Sequence, residues 1–287
     1  MDFNIGSAFG YIARDPNWTT KAGIGVGALL ATQFFGSIPL LNLVIFPLTV
    51  VVGVAMLGYQ IQIIRTVASG RDDELPEWTD LSKILLGGLI LFLITLLWYL
   101  LPGILAAGGG IGLVVAAFGG PGGNSGNLEP ADFLAGGMGL AAIFLLAGLA
   151  LALVASFFAP MATLRYAATL RFGEAFNLRG ITDDMRRSLG SYLLILVLQV
   201  GLAVLNVAVV LLPALVLGMI PILGPALLAF LTAPLQFYTM VVVANVLGQY
   251  QRAYIYPLWT PAAEAAEAGP LPAPSWMPAP EDKPPLE

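Results

Sequence analysis

The stretch LPEWTDLSKILLGGLILFLITLLWYL, residues 75–100, passes from charged to wholly apolar chain within a few residues. From Ile84 to Leu100 it carries no Asp, Glu, Lys, Arg or His, and its apolar residues run on without the alternation of a barrel strand. Hydrocarbon offers no partner to backbone N–H and C=O groups, so a continuous apolar run of this length reads as a membrane-spanning helix. The lead-in is also repeated. Pro16-Asn17-Trp18-Thr19-Thr20-Lys21 has the same order as Pro76, Trp78, Thr79 and Lys83, namely Pro, any residue, Trp, Thr and then Lys, and it too opens onto a Gly-spaced apolar run.

Composition extends the reading to the whole chain. Of 287 residues, 58% are apolar and 10% charged, with a mean hydropathy of +0.88. A soluble domain carries about 25% charge, so this chain cannot cover a globular surface with polar groups. The fold class expected is all-α, a polytopic membrane bundle. There is no Cys and no His, so disulfides, thiolate metal sites and imidazole ligands are absent, and no metal or cofactor is expected.

Six spans are placed at about 22–41, 43–64, 84–106, 137–160, 191–216 and 225–248, each near the ~20 residues a bilayer requires. Gly36 and Pro39 between the first two, and Gly218 and Pro221 between the last two, mark tight turns, because Pro breaks the helical ladder and Gly permits unusual dihedrals. The result is three hairpins. All twelve Lys and Arg fall in the segments on one side, whereas the opposite segments hold only Glu129 and Asp132. The positive-inside rule then puts both termini in the cytoplasm, with the three hairpins pointing outward. Residues 1–21 are expected to lie at the cytoplasmic interface, and 22–260 to form the membrane domain. That domain would include an outer Gly-rich loop, 107–136, and a basic cytoplasmic segment, 161–190. The N-terminus lacks a charged region followed by an apolar core and a cleavage site, so no cleaved signal peptide is expected.

The repeated phrase reads as an interfacial anchor. Trp18 and Trp78 would sit at headgroup level, Lys21 and Lys83 would reach lipid phosphates, and Thr19 and Asp80 would cap the helices. The basic segment, taken as one helix between Ala162 and Leu189, carries Arg165, Arg171, Arg179, Arg186 and Arg187, a set suited to anionic lipid or an acidic partner. Nucleic acid is not expected, because aromatic interleaving and an extended basic field are missing.

Within the spans the polar side chains are neutral, led by Gln199, Asn206, Gln236 and Asn245. Proton relays and ion-coupled sites normally need an ionisable group there, so the four are expected to bond across helices, or else to face a small solute. Gly23 and Gly27 form a GxxxG step expected in close helix packing, as are Gly136, Gly137, Gly139 and Gly148. Such faces serve contacts within the chain and between copies of it alike. Residues 261–287, rich in Pro, Ala and Glu, read as a semi-extended tail that a neighbour could hold through Trp259 and Trp276.

Gly58-Tyr59, Ile63-Ile64-Arg65, Val67-Ala68, Gly70, Leu75-Pro76-Glu77-Trp78, Asp80 and Gly87-Gly88 together resemble the signature of the DUF4013 family, a domain of unknown function in bacterial and archaeal membrane proteins. Arg165-Tyr166-Ala167 and the basic segment up to Tyr192 are similar as well, so the resemblance covers about residues 10 to 255. It implies an integral membrane protein and brings no catalytic residue.

Two functions are compatible with these features. One is a non-catalytic accessory or scaffold subunit, associated with lipids and other integral membrane chains. The other is a transporter or channel for a small neutral or lipidic solute. An enzyme is not expected, since no paired carboxylates or nucleophile-base pair can be placed at a membrane face.

Overall fold

The computed structural model describes residues 4–118, 138–221 and 223–255. Among these the chain is all helical, with no strand. Two short helices, α1 (Ile5–Phe9) and α2 (Tyr11–Arg14), precede α3 (Trp18–Gly36) and α4 (Pro39–Ala68). After a charged loop come α5 (Leu81–Phe118) and α6 (Met138–Thr169). A 3-10 turn (Phe172–Phe176) and α7 (Leu178–Arg187) lead to α8 (Leu189–Leu217) and α9 (Leu223–Tyr250), which ends in a π-helical turn, Gln251–Ile255. Five stretches, Pro39–Ala68, Leu81–Val115, Met138–Thr169, Leu189–Leu217 and Leu223–Ile255, are long and apolar enough to cross a membrane. The chain is a multi-pass membrane protein on that criterion.

Local chemistry explains the breaks. α3 stops at Gly36, and Ile38 is extended (φ −92°, ψ 115°), as a residue before proline must be; Pro39 then opens α4, where its missing N–H costs nothing. Each of the five long helices carries an internal proline (Pro47, Pro102, Pro160, Pro213 and Pro234), a tolerance found where neighbouring helices re-satisfy the freed carbonyls.

Three expectations need correction. The outer loop does not begin at residue 107, because α5 remains helical to Phe118. Its glycines serve packing: a Cβ on Gly109 would come 2.3 Å from the Leu145 nitrogen, and one on Gly112 would come 2.9 Å from the Ala141 Cβ. The rest of the loop, 119–136, lies outside the described residues, as do Gly136 and Gly137. Second, the basic segment is not one helix, because Leu170 adopts φ 55° and turns the chain out of α6. Third, Gly23 and Gly27 face open space, whereas Gly25 packs so tightly that a Cβ would fall 2.2 Å from the Phe237 ring.

The helices pack as antiparallel pairs, α3 with α4, α5 with α6 and α8 with α9, and α9 also packs on both α3 and α4. α4 and α5 cross with their backbones in close contact. A Cβ on Gly58 would lie 1.8 Å from the Ile84 carbonyl oxygen, and one on Gly88 would lie 1.9 Å from that of Val54. Fully buried side chains gather at one end of the molecule, among them Tyr11, Tyr59, Ile63, Ile64, Tyr166, Tyr192 and Tyr250. That end holds the charged loops. Elsewhere the membrane-length windows are only 11–33% buried, so residues such as Leu40, Leu43, Leu153 and Leu212 present apolar surface outward.

These contacts separate two kinds of glycine. Gly58→Ala has no room at a backbone carbonyl and should destabilise the detergent-solubilised protein by at least about 1–3 kcal/mol, the cost of overpacking. Gly27→Ala meets nothing and should leave the melting temperature unchanged.

Candidate functional site

Lys21 organises the charged end. Its Nζ donates to Asp15 Oδ2, to the Leu75 carbonyl and to Glu77 Oε1, each at 2.8 Å, so all three ammonium donors are used. Asp15 is itself buried and accepts from the backbone N–H of Leu75 (2.7 Å) and of Asn17 (2.6 Å). Trp78 Nε1 donates to the Lys21 carbonyl at 2.9 Å, and its indole stacks on Tyr59 at 4.0 Å with the rings 4° from parallel. The Tyr59 hydroxyl donates to the Pro76 carbonyl at 3.0 Å, and that of Tyr11 to the Glu74 carbonyl. The two copies of the repeated phrase are therefore clasped to each other, with residues 74–78 strapped across the end of α4.

This corrects the anchor reading for Lys21. Lys21 is only 8% exposed with its donors occupied, so it does not reach lipid phosphates. Trp78 is half-buried, with its ring on Tyr59 and its indole N–H on the Lys21 carbonyl. Trp18 is exposed, and so is Lys83, which pairs with Asp80 at 2.6 Å. Asp80 accepts from Lys83 Nζ, from the Ser82 hydroxyl (2.9 Å) and from the Lys83 backbone N–H (3.2 Å), which holds its pKa down at about 2. Thr19 is not the cap of α3, which starts at Trp18 behind Asn17.

The basic segment divides in the same way. Arg165, 4% exposed, bonds to Asp184 and, at 2.5 Å, to Glu174 Oε2, so it is a structural clamp rather than a lipid contact. A Cβ on Gly180 would lie 2.6 Å from its guanidinium carbon. Arg171, Arg179, Arg186 and Arg187 are exposed on the surrounding surface, Arg187 lying 3.6 Å from Asp184. Burial alone would raise the carboxyls of Asp15 and Glu174. The hydrogen bonds they accept, led by those from Lys21 and Arg165, outweigh it and leave both below the ordinary carboxylate range.

The neutral polar residues do not converge. Gln236 Oε1 accepts from Gln33 Nε2 at 2.9 Å, and Thr232 donates to Gln33 Oε1 at 2.6 Å, joining α3 to α9. Asn206 donates to Thr239 at 2.9 Å, joining α8 to α9. Asn245 accepts from Gln249 at 2.7 Å, and Gln249 Oε1 in turn accepts from the Asn4 backbone N–H at 3.0 Å. Gln199 is half-buried on α8 and joins none of these sets. In the turns, Gly36 has free space around its Cβ position. A Cβ on Gly224 would lie 1.7 Å from the Leu217 carbonyl oxygen, so this position accepts only glycine. Trp259 and Trp276 lie outside the described residues.

An all-helical, multi-pass chain whose charged end is closed by interlocking ion pairs is the class this geometry defines. A family model described as protein of unknown function (DUF4013) matches residues 40–219, more than half of the chain, and the chain belongs to that family. The match is narrower than the 10–255 expected, leaving Asp15, Lys21 and α9 outside it. Neither the search of curated proteins nor that of solved structures found a match.

Because the folded pKa values of Asp15 and Glu174 lie below their unfolded values, these groups stabilise the fold above the unfolded pKa, and the contribution is lost as pH falls through the folded one. Acidification from about pH 5 to about pH 3 should lower the melting temperature in detergent, and Asp15→Asn should reduce the size of that drop. Trp78→Phe keeps the stack but loses one hydrogen bond. It should cost about 1 kcal/mol and still insert normally.

Proposed function

We propose that the protein is a non-catalytic integral membrane subunit that assists or scaffolds a larger membrane assembly. In this reading it crosses the cytoplasmic membrane of a prokaryote six times, as three hairpins with both termini in the cytoplasm. The carrying observation is how the polar groups of the apolar helices are used. Gln33, Gln236 and Thr232 bond one another, as do Asn206 and Thr239, so the groups a transporter would turn toward a solute hold helices together instead.

Three features support the reading. Every described Lys and Arg lies at the charged end, as the positive-inside rule requires of a cytoplasmic face. α3 has 19 residues, about 28 Å of helix, close to the ~30 Å hydrocarbon thickness, and it returns through a two-residue turn to the same end as the α4 terminus; this favours a sixth crossing. The sparsely buried spans leave apolar faces for lipid and for other integral subunits, with further copies of the chain as an additional possibility for those faces. The exposed Arg171, Arg179, Arg186 and Arg187 suit anionic headgroups or an acidic partner; nucleic acid has no place in the reading.

Extraction in native lipid particles followed by mass measurement should recover the 30.1 kDa chain with a second integral membrane chain at fixed stoichiometry. A uniform single-species preparation that carries selective solute flux in proteoliposomes would replace the scaffold reading with the transporter. Topology can be tested independently, because the chain has no native thiol. A cysteine at Asn124 should react with an impermeant reagent from outside the cell and one at Arg179 should not; the opposite pattern overturns the orientation.

A further inference from the structure

Ile255, the last described residue, is held beside α7. The hydroxyl oxygens of Tyr250 and Ser188 lie 2.5 Å apart and those of Tyr254 and Ser191 2.9 Å apart, which pins the end of α9 and its π-helical turn to the junction of α7 and α8. Ile255 itself is fully buried, and the π turn packs against α7. The chain therefore continues from a fixed point next to the end of α7 that carries Arg186 and Arg187.

α7 has two unlike faces. Ile181, Asp184 and Met185 are buried, whereas Arg179, Asp183, Arg186 and Arg187 are exposed. Arg179 and Arg186 are two turns apart and share one side of the helix. Neither pairs with a carboxylate among the described residues, while Arg187 lies 3.6 Å from Asp184. With Asp183 as its one exposed carboxylate, the outer face of α7 is net positive.

Residues 256–287 carry the opposite charge, with Glu264, Glu267, Glu281, Asp282 and Glu287 against Lys283 alone. Glu264 follows Ile255 by a length of chain that spans at most about 30 Å, and α7 is only about 15 Å long, so its arginines lie within reach.

We propose that residues 256–287 dock on this outer face of α7, with Glu264 and Glu267 on the guanidinium groups of Arg179 and Arg186. A guanidinium fork accepts a carboxylate through two parallel bonds. An exposed ion pair is weak alone, but the tether to Ile255 keeps these carboxylates at an effective concentration on the order of millimolar. The docked segment covers arginines that also suit headgroups or an acidic partner, and so sets when that face is open to them. Docking of this kind goes beyond the scaffold reading and does not rest on it.

The test uses the full chain in particles of phosphatidylcholine, and the absence of native cysteine lets introduced thiols report contact. Thr182→Cys with Ala266→Cys should form a disulfide within the chain about fivefold faster than Asp73→Cys with Ala266→Cys, the worth of two exposed ion pairs. Asp73 is a fair control, being exposed and next to Asp72, which pairs with Arg252 near the same point of exit. Glu264→Gln with Glu267→Gln, or salt at about 1 M, should bring the first rate down to the control. Exchanging the charges, Glu264→Arg and Glu267→Arg with Arg179→Glu and Arg186→Glu, should restore it. In the chain without introduced cysteines, Arg186 should react with phenylglyoxal about threefold slower than after Glu264→Gln with Glu267→Gln, and exposed Arg71 should react alike in both. Equal rates for the two cysteine pairs overturn the docking, as does a charge exchange that restores nothing or an Arg186 equally reactive in both chains. Disulfides between chains would assign the face to a second copy, and protection of Arg186 that depends on added phosphatidylglycerol would assign it to headgroups; either result also overturns it.

Discussion

The ammonium of Lys21 is withdrawn from water and held by three oxygens from two separate parts of the chain, and the charged end is arranged around it. A buried charge is tolerated only when its donors are satisfied, which here requires Asp15 before α3 and both Leu75 and Glu77 before α5 to be present together. One acceptor is the backbone carbonyl of Leu75, and Asp15 takes the N–H of the same residue, so the strap is fixed in register as well as in position. With the register set, Trp78 lands on Tyr59 and Pro76 meets the Tyr59 hydroxyl. The strap and the Gly58–Gly88 crossing thus hold α4 against α5 within the same buried cluster.

Similar clasps tie in the rest of the chain. Arg165 on α6 gathers Glu174 and Asp184, which folds the 3-10 turn and α7 back against the helix they follow. Arg252, beyond α9, pairs with Asp72 in the strap loop at 2.7 Å, and the hydroxyls of Ser188 and Tyr250 meet at 2.5 Å. The Tyr192 hydroxyl on α8 donates to the Phe157 carbonyl on α6, which ties those two helix pairs together. The remaining length of the bundle relies on glycine crossings and a few neutral hydrogen bonds, with wide apolar faces turned to its surroundings. One end of the bundle is thus held by polar groups, and the rest by close helix packing.

Helix type and the turns at Ser37 and Gly218 were legible in the sequence because they depend on local chemistry: long apolar runs, a proline that fixes the residue before it, and the dipeptides that break a ladder. Partnerships were not. Lys21 and Lys83 occupy equivalent places in a repeated phrase, yet one is buried among three acceptors and the other pairs at the surface with Asp80. The difference lies in Asp15 and Glu77, whose proximity to Lys21 is a tertiary fact. Gly25 packs while Gly23 and Gly27 do not, because spacing shows which glycines share a face but not which face meets Phe237. The helical run through Gly108–Gly112 reads as loop on glycine content alone, because its partners Ala141 and Leu145 lie some thirty residues on. Nothing in the composition around Leu170 marks it for a left-handed conformation.

A double-mutant cycle on Asp15 and Lys21, read as unfolding free energy in detergent, tests the central claim most directly. If the buried pair locks the charged end, Asp15→Asn and Lys21→Met should each destabilise the protein, by on the order of 3 kcal/mol, because each strands a buried partner. The double variant should cost clearly less than the sum of the two, giving a coupling of at least about 1 kcal/mol. Additive effects with no coupling would contradict the account, since they would mean that the two residues support the fold independently of one another.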